Sequence, residues 1–284
     1  MERIRRHSGR YLVLALIFAN AYIYYAVYAD GPQELTVAFL DVGQGDAVYI
    51  ESPSKIQVLV DGGPANGAVL SALGAVMPLY DRTIDMLIVT NPDEDHFGGF
   101  LAVLERYSIE SVMEPGTMGK SKLYLEFEKA VDREAAARVF ARRGQMVDLG
   151  GGAYLNILFP DRAVTQEKTN DGSIVMQLIY GDTEIMFTGD TTKRMERYLV
   201  ALDGKKLQSD VLKVAHHGSR TSTSESFVAA VAPTYAVISD GKENRYGHPH
   251  QETLDTFEGA GVTVFRTDES GTIIMHSNGV LIGP

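Results

Sequence analysis

The stretch TNPDEDHFGG, residues 90–99, follows an apolar run and ends in a Gly-Gly pair. An apolar run bounded by polar residues and glycine is typical of a buried β-strand that ends in a loop. Asp93, Asp95 and His96 offer oxygen and nitrogen ligands within four consecutive positions. The pattern therefore predicts a metal-binding loop, although Asn91 occupies the position where a first ligand is expected.

Composition limits which ligands such a site could use. The chain has 284 residues, no cysteine and a formal net charge of -11. The absence of cysteine excludes disulfide-linked partners, thiolate metal sites and cysteine nucleophiles. Histidine, carboxylate, amide and backbone ligands suit zinc, manganese, iron or magnesium. The acidic balance argues against broad electrostatic wrapping of nucleic acid, and the sequence carries no signal for an oligomeric state.

The N-terminal segment has the character of a membrane anchor. Residues 1–10 are basic, whereas residues 11–29 are uncharged and mostly apolar. We predict a cytoplasmic flank over 1–10, a single transmembrane signal anchor over 11–29 and a linker over 30–34, with the C-terminal domain extracytoplasmic at the cell membrane. The alternative is a secreted protein released by signal-peptide cleavage after Ala29, but the apolar run is longer than the usual signal core of roughly 7–15 residues.

The remainder, residues 35–284, is predicted to form one domain with two similar halves. Each half runs from a hairpin into β-α-β alternation, and the two hairpins turn at Gly43–Gly45 and at Gly181-Asp182. Tight glycine turns between apolar runs predict hairpins. Two such halves predict a four-layer αβ/βα sandwich, in which two mixed β-sheets pack together and helices cover both outer faces.

Polar residues follow several of the predicted strands. Asp61, Asp190, the pair His216-His217 and His248 all come shortly after apolar runs. Ligands from several strand ends can converge on one edge of a two-sheet core, and a divalent ion needs that convergence. Capping a turn explains Asp61 equally well, and Asp190 also suits a helix N-cap. The histidines are better explained by a functional site.

Six motifs together resemble a known family. Their order along the chain resembles that of the metallo-β-lactamase fold hydrolases, and most of all that of the extracellular domain of ComEC-type competence (DNA-uptake) proteins. The resemblance covers about residues 35 to 278. It implies the αβ/βα sandwich and a divalent metal site, with one or two ions of zinc or manganese, at one edge of the sheets. The motifs are FLDVGQGDAVYI (39–50), VLVDGG (58–63), TNPDEDHFGG (90–99), IMFTGD (185–190), LKVAHHGS (212–219) and NRYGHPH (244–250).

The resemblance also implies roles for individual residues. Asp190 matches a ligand that can bridge two metal ions, and Asp61 would steady the motif loop. His217, or less favourably His216, would face the leaving group. The implied metal ligands are Asp93, Asp95, His96, Asp190 and His248.

The sequence departs from the family pattern at two places. Asn91 stands where a first histidine ligand is usual, and the segment TNDGSIV offers Asn170 and Ser173 where many members have another histidine. The first metal site is then reduced to Asp93, Asp190 and the Asn91 oxygen. The second site keeps its ligands. An oxygen-rich site with two histidines favours manganese more than a three-histidine site would.

The predicted function is hydrolysis of a phosphodiester by metal-activated water, with single-stranded DNA as one candidate substrate. Asp95 or Asp190 would orient the water, and His217 would protonate the leaving group. Ser219, in the segment that also holds Arg220, would contact the phosphate. Two alternatives remain open: a metallo-hydrolase of the lactonase or β-lactamase type, and a non-catalytic binding module whose first metal site is degraded at Asn91.

Overall fold

The computed structural model describes residues 2–28 and 34–284, and the side chains of residues 9–22 and 34–284. The chain divides into two compact units, Met1–Gln33 and Glu34–Pro284.

The first unit contains helix α1, Glu2–Tyr28. Residue 29 of the predicted anchor and residues 30–33 of the predicted linker lie outside the described residues. Within the part of the chain that is described, no helix combines the length and the apolar character needed to cross a bilayer. The transmembrane helix over residues 11–29 stays a prediction.

The strands between residues 34 and 284 form two sheets. The strands are Leu35–Phe39 (β1), Val48–Glu51 (β2), Gln57–Val60 (β3), Thr83–Ile88 (β4), Ser108–Glu114 (β5), Ala137–Phe140 (β6), Met146–Asp148 (β7), Ala153–Phe159 (β8), Val175–Tyr180 (β9), Thr183–Phe187 (β10), Val211–Lys213 (β11), Tyr235–Ile238 (β12), Thr263–Arg266 (β13), Ile273–Ser277 (β14) and Ile282–Gly283 (β15). The first sheet has eight strands in the order β15-β14-β1-β2-β3-β4-β5-β6, and the second has seven in the order β13-β12-β11-β10-β9-β8-β7.

The helices of the same unit connect these strands. Three short 3₁₀ helices, at Asn170–Gly172, Gly204–Leu207 and Ala215–Gly218, lie among them. The α-helices are Ala68–Val76 (α2), Glu94–Phe97 (α3), Phe100–Leu104 (α4), Lys122–Glu134 (α5), Lys193–Asp203 (α6), Glu225–Val231 (α7), Gln251–Ala260 (α8) and Thr267–Ser270 (α9).

Both sheets are mixed, as the sequence predicts. In the first sheet β1 pairs antiparallel with β14 and β2, whereas β3 to β6 run parallel. In the second sheet β7 to β10 are antiparallel, and β10 to β13 are parallel. Parallel strands need crossover connections, and helices such as α2 and α6 provide them.

The side chains of each strand divide between the two faces of its sheet, and this division produces the layers of the sandwich. Successive residues of a strand point to opposite faces, so Phe39 of β1 enters the core between the sheets while Ala38 packs toward the helices. The Phe39 and Phe187 rings meet across the two sheets, with centroids 6.4 Å apart. Separate apolar clusters join each outer sheet face to its helices, through residues such as Phe127 and Leu199. This confirms the predicted sandwich of two mixed sheets with helices.

Parallel strands bring the predicted ligand loops to the sheet edges. Val60 at the end of β3 lies opposite Ile88 at the end of β4. In the second sheet Phe187 is opposite Lys213, and Lys213 is opposite Val237. Because neighbouring parallel strands end at the same edge, the polar residues that follow them are placed side by side.

Candidate metal centre

A compact group of donor atoms lies where these strands end. His96 Nε2 is 3.1 Å from Asp190 Oδ1, and His217 Nε2 is 3.3 Å from Asp95 Oδ2. His217 Nε2 is also 3.9 Å from Asp190 Oδ1. One ligand atom from each of Asp95, His96 and His217 lies within 4.8 Å of the others. We call Asp95, His96, Asp190 and His217 the donor cluster.

Both imidazoles of the donor cluster are oriented by partners behind them. His96 Nδ1 is 2.8 Å from Asp61 Oδ2. His217 Nδ1 is 3.0 Å from the Ser239 carbonyl and 3.1 Å from Asp46 Oδ1. These partners accept the Nδ1 hydrogen, so the lone pair of each Nε2 faces the cluster. Metal-binding histidines commonly have this arrangement, with a carboxylate or carbonyl behind the ring.

The donor atoms that face one another in the cluster would be stabilised by a cation. His96 Nε2, His217 Nε2 and Asp190 Oδ1 are buried and have no hydrogen-bond partner among the described residues. A buried polar atom left without a partner costs about 1–3 kcal/mol. Once Nδ1 carries the hydrogen, Nε2 and a carboxylate oxygen are both acceptors, so their 3.1 Å approach requires positive charge nearby. The residues therefore fit a divalent ion and form a candidate metal-binding cluster.

The electrostatics of the cluster agree with this. Burial opposes protonation of His96, yet Asp190 and Asp61 raise its pKa well above the ordinary value. Burial also lowers the pKa of His217, but Asp46 and Asp95 outweigh it and raise the pKa to about 10. Positive charge is thus strongly favoured here, and a metal ion can supply it in place of protons.

Sequence reasoning missed the ion pair behind His217. Lys213 Nζ is buried, 2.7 Å from Asp46 Oδ1 and 3.1 Å from the Val214 carbonyl oxygen. Burial raises the pKa of Asp46, but Lys213 and His217 more than offset this and hold it below its usual range. Asp46 therefore stays ionised as the partner of His217. The sequence offers one signal for this ion pair: each of two otherwise apolar runs, DAVYI and VLKVA, contains a single charged residue.

Asn91 takes part in a hydrogen-bond network beside the cluster. Its Nδ2 donates to Asn170 Oδ1 and to Ser173 Oγ, both at 3.2 Å, and its Oδ1 accepts from the Asp93 backbone N–H at 3.0 Å. The Asp93 carboxylate accepts from Thr169 Oγ1 at 3.1 Å. The Asn91 oxygen and the Asp93 carboxylate, both predicted for a first metal site, are thus engaged by other groups.

We expect Asn91→His to leave the metal content of the protein unchanged. Asn170 and Ser173 occupy the space beside residue 91, and Thr169 holds the Asp93 carboxylate, so one added imidazole would lack co-ligands. Elemental analysis of the reconstituted full chain measures this, with Asn91→Ala as the matched control. Binding of a second equivalent of metal by Asn91→His alone would contradict the expectation.

The structure places the other predicted histidines around the cluster. His216 and His217 adopt positive φ, 51° and 52°, which lets consecutive imidazoles approach the same region. His216 Nε2 is 3.8 Å from Asp190 Oδ2, and its Nδ1 is 3.1 Å from Thr221 Oγ1. Ser219 Oγ lies 3.0 Å from the same Thr221 hydroxyl.

His248 lies beside the donor cluster but is not part of it. Its ring is stacked on Tyr246 with centroids 5.6 Å apart, and lies 6.2 Å from the ring of His217. Burial and the neighbouring imidazoles of His217 and His216 lower its pKa to about 4, so the ring is neutral at pH 7. His248 Nδ1 is nevertheless buried without a hydrogen-bond partner among the described residues. His248 stays a predicted ligand, although it is not among the side chains whose donor atoms lie within 4.8 Å of one another.

The cluster opens into a cavity of about 790 Å³. Asp95, Asp190, His216 and His217 contribute to its lining at the donor cluster. The other lining residues are Gln44, Pro64, Ala65, Asn66, Asp93, Glu94, Leu123, Asn244, Arg245, Tyr246 and His248.

The chain belongs to the metallo-beta-lactamase superfamily, whose model matches residues 40–240. Within it, the chain resembles competence proteins of the ComEC type. It is 29% identical over 95% of its length to ComE operon protein 3 of Bacillus subtilis and 29% identical over 91% to competence protein ComA of Neisseria gonorrhoeae. It is 30% identical over 82% to recombination protein 2 of Haemophilus influenzae. The chain spans 36%, 35% and 28% of these relatives, respectively.

Solved structures share the fold at low sequence identity. CmlA, a diiron β-hydroxylase from Streptomyces venezuelae, has a TM-score of 0.56 at 16% identity and covers 87% of this chain and 55% of its own. Zn²⁺-bound PqqB from Methylobacterium extorquens has a TM-score of 0.53 at 12% identity, over 88% of this chain and 91% of its own. At these identities the likeness concerns the fold alone.

Proposed function

We propose that the chain is a metal-dependent phosphodiesterase or nuclease. The observation that carries this proposal is the donor cluster, which has acceptor atoms without hydrogen-bond partners among the described residues. The cluster lies at a cavity that is large enough for a segment of substrate. The polar side chains of His216 and Arg245 line that cavity and suit an anionic substrate. Two of the relatives are named as a competence protein and a recombination protein, which supports a substrate related to nucleic acid.

In this proposal, the donor cluster holds the ion and the attacking water. A divalent ion bound there would withdraw charge from the phosphoryl oxygens and lower the pKa of a bound water. Asp95 is the accessible carboxylate, because 32% of its side chain is exposed against 4% for Asp190. Burial raises the pKa of Asp95, but the neighbouring His217 and His96 imidazoles lower it overall, so it is ionised and can orient the water.

The geometry favours His216 over His217 as the proton donor to the leaving group. Both nitrogens of His217 are committed, Nδ1 to Ser239 and Asp46 and Nε2 to the cluster, and 1% of its side chain is exposed. The His216 side chain is 27% exposed and lines the cavity. We therefore propose His217 as a metal ligand and His216 as the general acid.

A direct assay tests the proposed function. The full chain is stripped of metal, reconstituted with manganese or zinc, and assayed with bis(p-nitrophenyl) phosphate and a single-stranded oligonucleotide. Metal-dependent turnover is expected. Failure to turn over either substrate with any of the added ions would contradict the proposal.

A non-catalytic binding module is the second candidate, and the Asn91 network favours it. Asn91, Asn170 and Ser173 satisfy one another where a second set of ligands would otherwise be expected. A protein that binds one equivalent of metal, binds single-stranded DNA and turns over neither substrate would support this module over the hydrolase.

Membrane anchoring through residues 11–29, with the hydrolase unit outside the cytoplasm, is proposed from the sequence alone. The full chain is expected to stay with the membrane fraction during alkaline carbonate extraction. A chain that begins at residue 34 is the control and should be released. Release of both forms would contradict the anchor.

A further inference from the structure

Arg245 and Tyr246 form a pair of planar groups beside the donor cluster. Both line the cavity that contains Asp95 and Asp190. The Arg245 guanidinium carbon lies 4.8 Å from the centroid of the Tyr246 ring, and Arg245 Nη2 donates to the Tyr246 hydroxyl at 2.6 Å. Tyr246 is 48% exposed. A large aromatic side chain that is half exposed at the wall of a polar cavity offers a surface for a flat ligand.

The loop that carries this pair is held in place by Asn244. Asn244 Oδ1 accepts from the backbone N–H groups of Tyr246 and His248, at 3.2 and 2.9 Å. Its Nδ2 donates to the carbonyl oxygens of Gly241 and His248, at 2.9 and 2.7 Å. The Tyr246 ring also stacks on the His248 ring at an interplanar angle of 21°. The loop is thus ordered before a ligand binds, which reduces the entropic cost of binding.

The charges around the cavity give Arg245 a particular role. Of the described residues that line the cavity, Arg245 is the only arginine or lysine, whereas Asp93, Glu94 and Asp95 are acidic. A polyanion that reaches the donor cluster meets this acidic wall. The guanidinium is the side chain best suited to hold a phosphate next to the one that reacts.

From this arrangement we infer that Arg245 and Tyr246 form a nucleotide subsite that takes one unpaired base and its adjacent phosphate. The inference rests on the proposed phosphodiesterase function. An unpaired base stacks on the Tyr246–Arg245 surface, and Arg245 binds the adjacent phosphate. In a duplex the interior bases are paired and stacked on one another, so they cannot occupy this surface without first unpairing.

The test compares polymeric and small substrates in the full chain. Values of kcat/KM are measured for oligodeoxyuridylate, oligouridylate, a blunt DNA duplex and bis(p-nitrophenyl) phosphate. The ratio of single-strand to small-substrate kcat/KM is expected to fall about 10- to 100-fold in Tyr246→Ala and in Arg245→Gln. Tyr246→Phe keeps the ring and should retain the ratio. Whichever single strand is turned over faster identifies the preferred sugar.

A matched control exists elsewhere on the surface. Arg162 and Tyr198 form a similar pair, with the guanidinium carbon 5.6 Å from the ring centroid and Tyr198 39% exposed, but neither lines the cavity. Tyr198→Ala should change no ratio. Arg245 is exposed, so Arg245→Gln tests the subsite even if Tyr246→Ala fails to fold.

Failure of the subsite is distinguishable from failure of the proposed function. Turnover of bis(p-nitrophenyl) phosphate with unchanged ratios in Tyr246→Ala and Arg245→Gln would overturn the subsite alone. Turnover of the small diester with no cleavage of either single strand would also overturn the subsite. So would an equal fall of kcat/KM on the duplex and on the single strands in these two variants. Absence of turnover on every substrate would overturn the phosphodiesterase function and the subsite with it.

Discussion

Replacement of Asp190 by alanine is expected to remove the bound metal and to lower kcat/KM by on the order of 10³-fold or more. Asp190 Oδ1 lies 3.1 Å from His96 Nε2 and 3.9 Å from His217 Nε2, so this carboxylate joins the two imidazoles of the donor cluster. Without it the remaining donors no longer enclose an ion, and the charge that holds the cation is reduced. Elemental analysis and turnover of a phosphodiester measure the two effects.

The matched control is Asp182→Ala. Asp182 is an exposed aspartate in the hairpin between β9 and β10, on the same pair of strands that leads to Asp190. Its replacement should leave metal content and turnover unchanged. If Asp190→Ala folds, keeps a full equivalent of metal and retains turnover, the donor cluster is wrongly identified.

Replacement of His216 by glutamine is expected to affect substrates according to their leaving group. A dinucleotide has an alkoxide leaving group that needs a proton, so its kcat should fall about 10²- to 10⁴-fold. The p-nitrophenolate of bis(p-nitrophenyl) phosphate leaves without one, so its turnover should change little. Steady-state kinetics on both substrates measure the difference.

The matched control for His216→Gln is His276→Gln. His276 is on β14, where its Nδ1 is 3.2 Å from Thr36 Oγ1, and it does not line the cavity. His276→Gln should leave both activities unchanged. Equal losses on both substrates in His216→Gln would show that His216 acts on the metal or the fold, and the general-acid role would be excluded.

Much of the fold was predictable because its signals are local. Runs such as QVLV and IMFTG are apolar on both faces, as expected for strands covered by a second sheet on one side and helices on the other. The order of motifs then indicated which strand ends would meet. Asp61, His96 and Asp190, predicted from these ends, do lie together in the structure.

The details of the site were less predictable because they depend on distant partners. His217 points its Nε2 at the cluster since Ser239, at the end of β12, and Asp46, from the β1–β2 loop, hold its Nδ1. No spacing in the HHGS motif distinguishes this orientation from that of a free proton donor. The same applies to Asn91, whose partners Asn170 and Ser173 lie about eighty positions away in the chain.

We propose that His96 and His217 supply the imidazole ligands of a bound divalent ion. X-ray absorption at the metal edge of the reconstituted full chain counts imidazole ligands directly. We predict two imidazoles with oxygen ligands, reduced to one in His217→Ala and unchanged at two in His248→Ala. A spectrum in which His248→Ala removes an imidazole and His217→Ala does not would contradict the claim.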